Sequence, residues 1–170
     1  LSLHDALPIL FDSQGNLWIG MFMAGVDKLD MSRNRFRNFT NPHLSNDVRK
    51  LVLEGDSGLW IANQANADIS FYSFAQNRFY NYDIDALYTS RISDICKSKD
   101  SNLWIAKEDQ LLKMDIHTKK TKQIVSPRLG HSQLETICVD ELGDVWMGTI
   151  GAGLMRYNEE ENRTDRKSVV

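Results

Sequence analysis

Apolar residues along this chain fall into short runs separated by polar or glycine-containing stretches, and the runs recur in a fixed order. Trp18, Trp60, Trp104 and Trp146 sit in the phrases GNLWIG, SGLWIA, SNLWIA and GDVWMG, at spacings of 42, 44 and 42 residues. Eight residues before each tryptophan stand Leu10, Val52, Cys96 and Cys138. From the second unit on, Arg49, Ser93 and Glu135 lie just upstream, within VRKLV, ISDIC and LETIC. After each tryptophan a short link leads to GVDKLD, DISFYS, QLLKMD or GLMRYN. A further strand-like phrase follows in NRFRNF and NRFYNY, with a weaker echo in KTKQIV.

Four strand signals per unit at this period predict the blade of a β-propeller. A helical solenoid with the same period would need long stretches of 3.6-residue periodicity, and none runs between the turn signals. Leu17, Trp18 and Ile19 make the tryptophan strand apolar on both faces, as stacked blades require. The turn before it carries Asp, Ser, Gly or Asn in every unit, the chemistry of a tight hairpin. The expected fold class is therefore all-β: a partial β-propeller of about three and a half four-stranded antiparallel blades forming an open arc. The blades are expected at residues 10–51, 52–95 and 96–137, with a partial fourth at 138–164. Such an arc exposes sheet faces and strand edges, so poor solubility is expected if it is expressed alone.

The two ends read differently. Residues 3–9 can be encoded by DNA whose reverse complement translates as Asp-Arg-Lys-Ser-Val-Val-stop, which is the sequence of residues 165–170. Residues 1–9 and 165–170 are accordingly expected to derive from a library adapter read in both orientations, and are set aside from fold reasoning. With the native N-terminus missing on this reading, the lack of a signal peptide carries no information about location.

Composition narrows the function classes only slightly. The chain has 170 residues, 42% hydrophobic and 25% charged, with a formal net charge of −3. That balance argues against a nucleic-acid binder, which shows a basic field. No apolar run approaches the length of a membrane-spanning helix. Two cysteines are too few for a disulfide framework or metal cluster. Cys96 and Cys138 fill a slot held elsewhere by Leu10 and Val52, so both are expected to behave as small buried hydrophobes.

The phrases FDSQGNLWIGMFMAGVDKLDMSRNRFRNF and VDELGDVWMGTIGAGLMRYN resemble the two-component regulator propeller repeat. LSNDVRKLV resembles that family's connection between blades, and the resemblance extends over residues 10–164. It implies a periplasmic ligand-sensing module of a bacterial hybrid histidine kinase, often for carbohydrate breakdown products. It also implies partners: a small-molecule or oligosaccharide ligand, the remaining blades, and downstream signalling domains, with a homodimer of the parent receptor left open. No cofactor and no nucleic acid are implied for this region. Kinase activity would belong to the parent protein, so this chain itself is expected not to be an enzyme.

Several motifs have plainer explanations than catalysis. One tryptophan per repeat at a fixed slot reads as packing between blades rather than sugar stacking. The glycines of GTIGAGLMRYN lead into an alternating, aromatic phrase, whereas a phosphate-cradling loop must open a helix. GDSG at 55–58 resembles the nucleophile segment of chymotrypsin-like proteases, but it aligns with the hairpin turn of the other units. HTKKTK at 117–122 reads as a solvated hairpin tip.

The candidate ligand face is formed by the blade-to-blade connections and the loops after the tryptophan strands, which emerge on one side of a blade. Units two and three replace the glycine-rich link there with NQANAD and KEDQ. Asn63, Gln64, Asn66, Asp68, Lys107 and Glu108 are the resulting candidates for polar ligand contacts, against a background of ordinary loop variation. His43 and His131 lie in blade connections and join them as ligand candidates. Two histidines alone do not make a metal site, so none is expected. The rival function classes are an enzyme on this scaffold, such as a lyase or glycan-active propeller, and a protein-interaction scaffold.

Overall fold

The computed structural model describes residues 8–43, 46–63, 68–84, 91–108, 110–124 and 133–167, and all its regular elements are strands. The chain divides into two compact units, residues 1–89 and 90–170. The first unit holds two sheets. One contains β1 (Ile9–Phe11), β2 (Leu17–Met21), β3 (Gly25–Asp30) and β4 (Arg35–Phe39); the other contains β5 (Val48–Glu54), β6 (Gly58–Asn63), β7 (Asp68–Ser73) and β8 (Arg78–Asp83). The second unit repeats the plan with β9 (Ile92–Lys97), β10 (Asn102–Lys107), β11 (Gln110–Asp115) and β12 (Thr121–Ile124), then β13 (Gln133–Val139), β14 (Val145–Ile150), β15 (Gly153–Asn158) and β16 (Arg163–Lys167). Every sheet is antiparallel with its strands in sequence order, the topology of a propeller blade.

The repeat seen in the sequence is a repeat of register. Leu10, Val52, Cys96 and Cys138 lie directly across from Trp18, Trp60, Trp104 and Trp146 on the preceding strand. On the following strand the tryptophans face Lys28, Phe71, Lys113 and Arg156. The cationic heads of Lys28, Lys113 and Arg156 lie 4.9, 5.2 and 6.0 Å from their ring centroids. The indole N–H of Trp18, Trp60 and Trp146 donates to Asp12, Glu54 and Asp140, each six residues upstream, at 2.9, 3.0 and 2.7 Å. A buried indole needs such an acceptor, so the acids before the strand anchor the tryptophan. In the third repeat Ser98 holds that position.

Trp18, Trp60 and Trp104 are essentially fully buried. In the first unit Trp18 packs on Phe39, Tyr72 and Phe74, joining the two sheets. In the second, Trp104 meets Tyr157 edge-on, 5.9 Å between centroids, inside a core drawn from both sheets. Packing between neighbouring blades is thus the role of these two rings, as the fixed spacing predicts.

Three inner strands carry the same irregularity. Pairing skips Arg49 in β5, Ser93 in β9 and Glu135 in β13, each a β-bulge at the corresponding place. The hairpins between the third and fourth strands of each sheet close with Asn34, Asn77, Lys119 and Asn162 at positive φ of 46–62°. Asparagine tolerates that region best among non-glycine residues, which explains the recurrent Asn-Arg exit.

Two expectations change. The fourth sheet is complete, because Arg163–Lys167 pairs along β15, so the chain forms four four-stranded sheets. Strand β16 takes in residues set aside as adapter-derived, as does Ile9 in β1. A backbone ladder accepts most extended sequences, so this pairing is indifferent to their origin. The second change concerns the cysteines. Neither forms a disulfide, and Cys96 is half-buried against the second unit's core, but Cys138 is exposed. Cys96 faces the fourth sheet, whereas Cys138 and the half-buried Trp146 lie on that sheet's other face, where the second unit places no further sheet among the described residues.

Candidate functional site

Three residues beyond each ring stand Met21, Asn63, Lys107 and Thr149. Asn63 and Lys107, the two polar replacements, are the last residues of β6 and β10 rather than loop residues. Both point inward, with Asn63 3% and Lys107 0% exposed. Burial of an amide or an ammonium is tolerable only with partners, so each is built into its unit.

In the first unit those partners form a polar cluster. The Asn63 side-chain amide donates to Ser70 Oγ at 3.3 Å. Asn41, 4% exposed in the blade connection, donates to Asn81 Oδ1 at 2.6 Å and to Ser70 at 3.4 Å. Asn46 closes a reciprocal pair with Asn41: its side chain accepts from the Asn41 N–H and donates to the Asn41 carbonyl. Its own carbonyl receives the Gly25 N–H at 2.9 Å. This network sets the course of the blade connection and ties its backbone to both sheets. His43 is exposed beside it, its backbone N–H donating to Asn41 Oδ1. Asp68 is the first residue of β7, across from Asp83. Gln64 and Asn66 lie outside the described residues.

In the second unit the link after the tryptophan strand is short, and Lys107 pairs directly with Gln110. Glu108 adopts a positive φ of 45°, as such a tight hairpin demands, and is exposed. Its carbonyl accepts the Leu134 N–H from β13 at 2.6 Å, so the loop is fixed to the adjoining sheet. Asp94, also buried, accepts from Thr136 Oγ1 at 2.7 Å and from the Ile137 N–H at 2.9 Å. His131 lies outside the described residues. In the fourth sheet the link at Gly151 and Gly153, both at positive φ, turns directly into β15, so the glycines close a hairpin and no helix opens behind them.

The structure therefore gathers Asn63 and the start of Asp68's strand at one end of the first unit, and Lys107 with Glu108 at a blade junction of the second. The Asn41–Asn46–Asn63–Ser70–Asn81 cluster was not apparent from sequence. Its only signal was the density of asparagine around the connection, which reads as generic loop composition. The acids that precede the tryptophan strands are engaged by their own turns. Asp140 accepts from Trp146 and from turn N–H groups, and these bonds hold its carboxyl below the usual range. For Asp12, burial works to raise the value, but hydrogen bonds from Asn16 and Trp18 and the charge of Lys28 prevail and lower it. The clustered acids thus serve their own turns. Among the described residues no three His, Cys, Asp or Glu side chains are grouped to hold a metal.

Comparison with known proteins supports the fold. No protein-family model matches the chain, and no curated protein matches it. Solved structures do. The extracellular domain of BT4673 from B. thetaiotaomicron, described as a one-component system, superimposes with a TM-score of 0.78 at 14% identity over 98% of this chain. That of BT3049, described as a hybrid two-component system from the same organism, gives 0.74 at 20% identity over 97%. A streptogramin B lyase gives 0.79 at 17% identity over 97%. The chain spans 22%, 25% and 55% of these three proteins. Identities this low establish a shared all-β propeller architecture.

Proposed function

We propose that this chain is part of the ligand-sensing propeller of a two-component receptor, facing the periplasm and taking a carbohydrate-type ligand. The supporting observation is the in-register repeat of the motif that resembles the two-component regulator propeller, on a fold shared with extracellular domains of signalling systems. The candidate ligand contacts are the polar residues of the blade connections and post-tryptophan links: His43, Asn63, Gln64, Asn66 and Asp68 in the first unit, and Lys107, Glu108 and His131 in the second. Asn63 and Lys107 act from buried positions by shaping the loops that follow them. Ligand binding favours one arrangement of blades or protomers, and that preference passes to the downstream signalling domains of the parent chain. Catalysis resides in those domains. The reading is tested on the parent receptor by thermal shift against a panel of neutral oligosaccharides. A ligand-dependent stabilisation that falls in N63A and K107A supports it; unchanged affinity in both removes these residues from the site.

A second reading, a propeller lyase, is favoured by the likeness to streptogramin B lyase. It predicts linearisation of a streptogramin B substrate by the purified chain, followed chromatographically. Intact substrate after prolonged incubation rejects it.

A further inference from the structure

The first unit carries a groove of about 450 Å³ at the strand ends opposite Asn63, between the β3–β4 and β7–β8 hairpins. The second unit has one of nearly equal size, about 440 Å³. The pairing registers make them counterparts. Arg37 lies across from Lys28 as Lys122 lies across from Lys113, and Phe39 caps β4 where Ile124 caps β12. Tyr72 donates its hydroxyl to Asn77, and Tyr157 to Asn162. Two residues beyond each tyrosine stand Phe74 and Glu159, and here the grooves part. Glu159 takes Lys113 in an ion pair at 2.7 Å, so an acid stands where the first groove has an aromatic wall. Phe74 instead stacks on Trp18, 5.2 Å between centroids and 13° from parallel, and supplies an apolar wall.

The rest of the first groove follows the same trend. Arg33, Arg35, Arg37 and Lys28 border it; Asp30 is the one acid of the lining, and Lys28 is paired with Asp12 at 3.5 Å. Asp30 is already engaged by the Ser32 hydroxyl and by the N–H groups of Ser32 and Arg33. Arg37 is held in place, over the Phe39 ring at 4.7 Å and donating to Asn77 Oδ1 at 3.1 Å. Among the described residues the Arg35 guanidinium has no side-chain partner. Phe36, between these two arginines in sequence, alternates to the other face of the strand, so the aromatic wall of the groove is Phe74 over Trp18. Guanidinium groups beside an aromatic wall suit a planar or ring-shaped molecule that carries an anionic oxygen group. The volume falls in the range of small-molecule pockets.

We propose that this groove binds a small organic oxyanion, a phosphate, sulfate or carboxylate group carried on a ring, with Arg35 and Arg37 taking the anion and Phe74 taking the ring. The site is separate from the loop face and stands whether the chain belongs to a sensor or to an enzyme.

Isothermal titration of the complete chain with phenyl phosphate, glucose 6-phosphate and inorganic phosphate at low ionic strength tests it. At least one ester should bind more tightly than inorganic phosphate, and added salt should weaken it. Preference between the two esters tells whether the ring is aromatic or a sugar. R35A should weaken ester binding about tenfold, the size of one lost charge-assisted hydrogen bond, and R35K should lose less. K120A, an exposed cation of the second unit, should bind as wild type. Arg35 is exposed on an outer strand, so the substitution leaves the core intact, which a thermal melt confirms. Absence of ester binding, inorganic phosphate binding as tightly as both esters, or R35A binding as wild type would each overturn the proposal.

Discussion

Phe74 and Arg37 border the outer groove of the first unit; Glu159 and Lys122 occupy the corresponding positions of the second. Both grooves rest on the same framework of tryptophan, tyrosine and turn asparagine, yet the first is walled by Phe74 beside Arg35 and Arg37, and the second carries Glu159, held to Lys113, beside Lys122. The repeat thus separates what holds a blade together from what can vary. Positions that recur in all four sheets, such as the tryptophan and its cross-strand neighbours, are structural. Positions where one unit departs from its counterpart are where recognition can reside.

The contrast extends into the cores, and tryptophan replacement breaks it most severely. Trp18 is 1% exposed and bonded through its indole N–H to Asp12, whereas Trp146 is half-buried with an equivalent bond to Asp140. Trp18→Ala should cost about 3–5 kcal/mol, the range for a large aromatic lost from a packed core. Trp146→Ala should cost about half as much, since part of its surface already meets water. Hydrogen exchange resolved by unit would show the first change loosening β1–β8 and the second loosening β13–β16. Equal costs would mean that Trp146 is covered in solution.

Glycine substitution sharpens the comparison at smaller scale. Gly25 and Gly153 hold the same place, seven residues after a tryptophan, with φ of +79° and +75°. Either alanine variant meets the strain of a left-handed conformation, about 1 kcal/mol. At Gly25 a Cβ would also stand 2.2 Å from the Phe39 carbonyl oxygen, while at Gly153 it meets nothing within 4 Å. Gly25→Ala should therefore lower stability by about 2–3 kcal/mol and Gly153→Ala by about 1. Chemical denaturation distinguishes them, and a Gly25→Ala cost no larger than that of Gly153→Ala would show that β4 yields.

Which of these features was legible in the sequence follows from physical scale. The tryptophan slots were readable because a ring filling the space between sheets has few substitutes, so the residue itself recurs. The cross-strand neighbours at 10, 52, 96 and 138 were readable as a position, although exposure at that position was not: Cys138 shares the slot of Val52 but not its surroundings. Asn63 and Lys107 were expected on a loop because polar residues after a strand commonly start one. Each strand runs on to include its residue, and inward orientation buries both. The Asn41 cluster was hidden for a related reason, since its members span residues 41–81 and meet only when the blade connection folds onto the second sheet. The fourth outer strand is not legible because NRTDRK lacks the aromatic residues that mark NRFRNF and NRFYNY.

Acid titration separates the units by the smallest margin. Asp12 in the first unit carries Trp18, Asn16 and the Lys28 ion pair at 3.5 Å. In the third repeat Ser98 stands in its place, and the acid is displaced to Asp100, which accepts from Asn102 and pairs with Lys113 at 3.5 Å. Burial works to raise each carboxyl, yet hydrogen bonds and the nearby lysine leave both lowered. A carboxylate whose folded pKa lies below its unfolded value, about 3.9, stabilises fully above that value. The contribution fades as pH falls through the folded pKa. Asp12→Asn keeps a carbonyl oxygen for the Trp18 indole but loses the charge opposite Lys28. It should cost no more than about 1 kcal/mol at neutral pH, given the partly solvated ion pair. The difference from wild type should shrink as the solution is acidified below about pH 4. Asp100→Asn should show the same closing gap, reported by amides of the second unit. A gap that holds constant into acid would assign the role of Asp12 to its hydrogen bonds alone, and would leave Lys28 held by its stacking over Trp18.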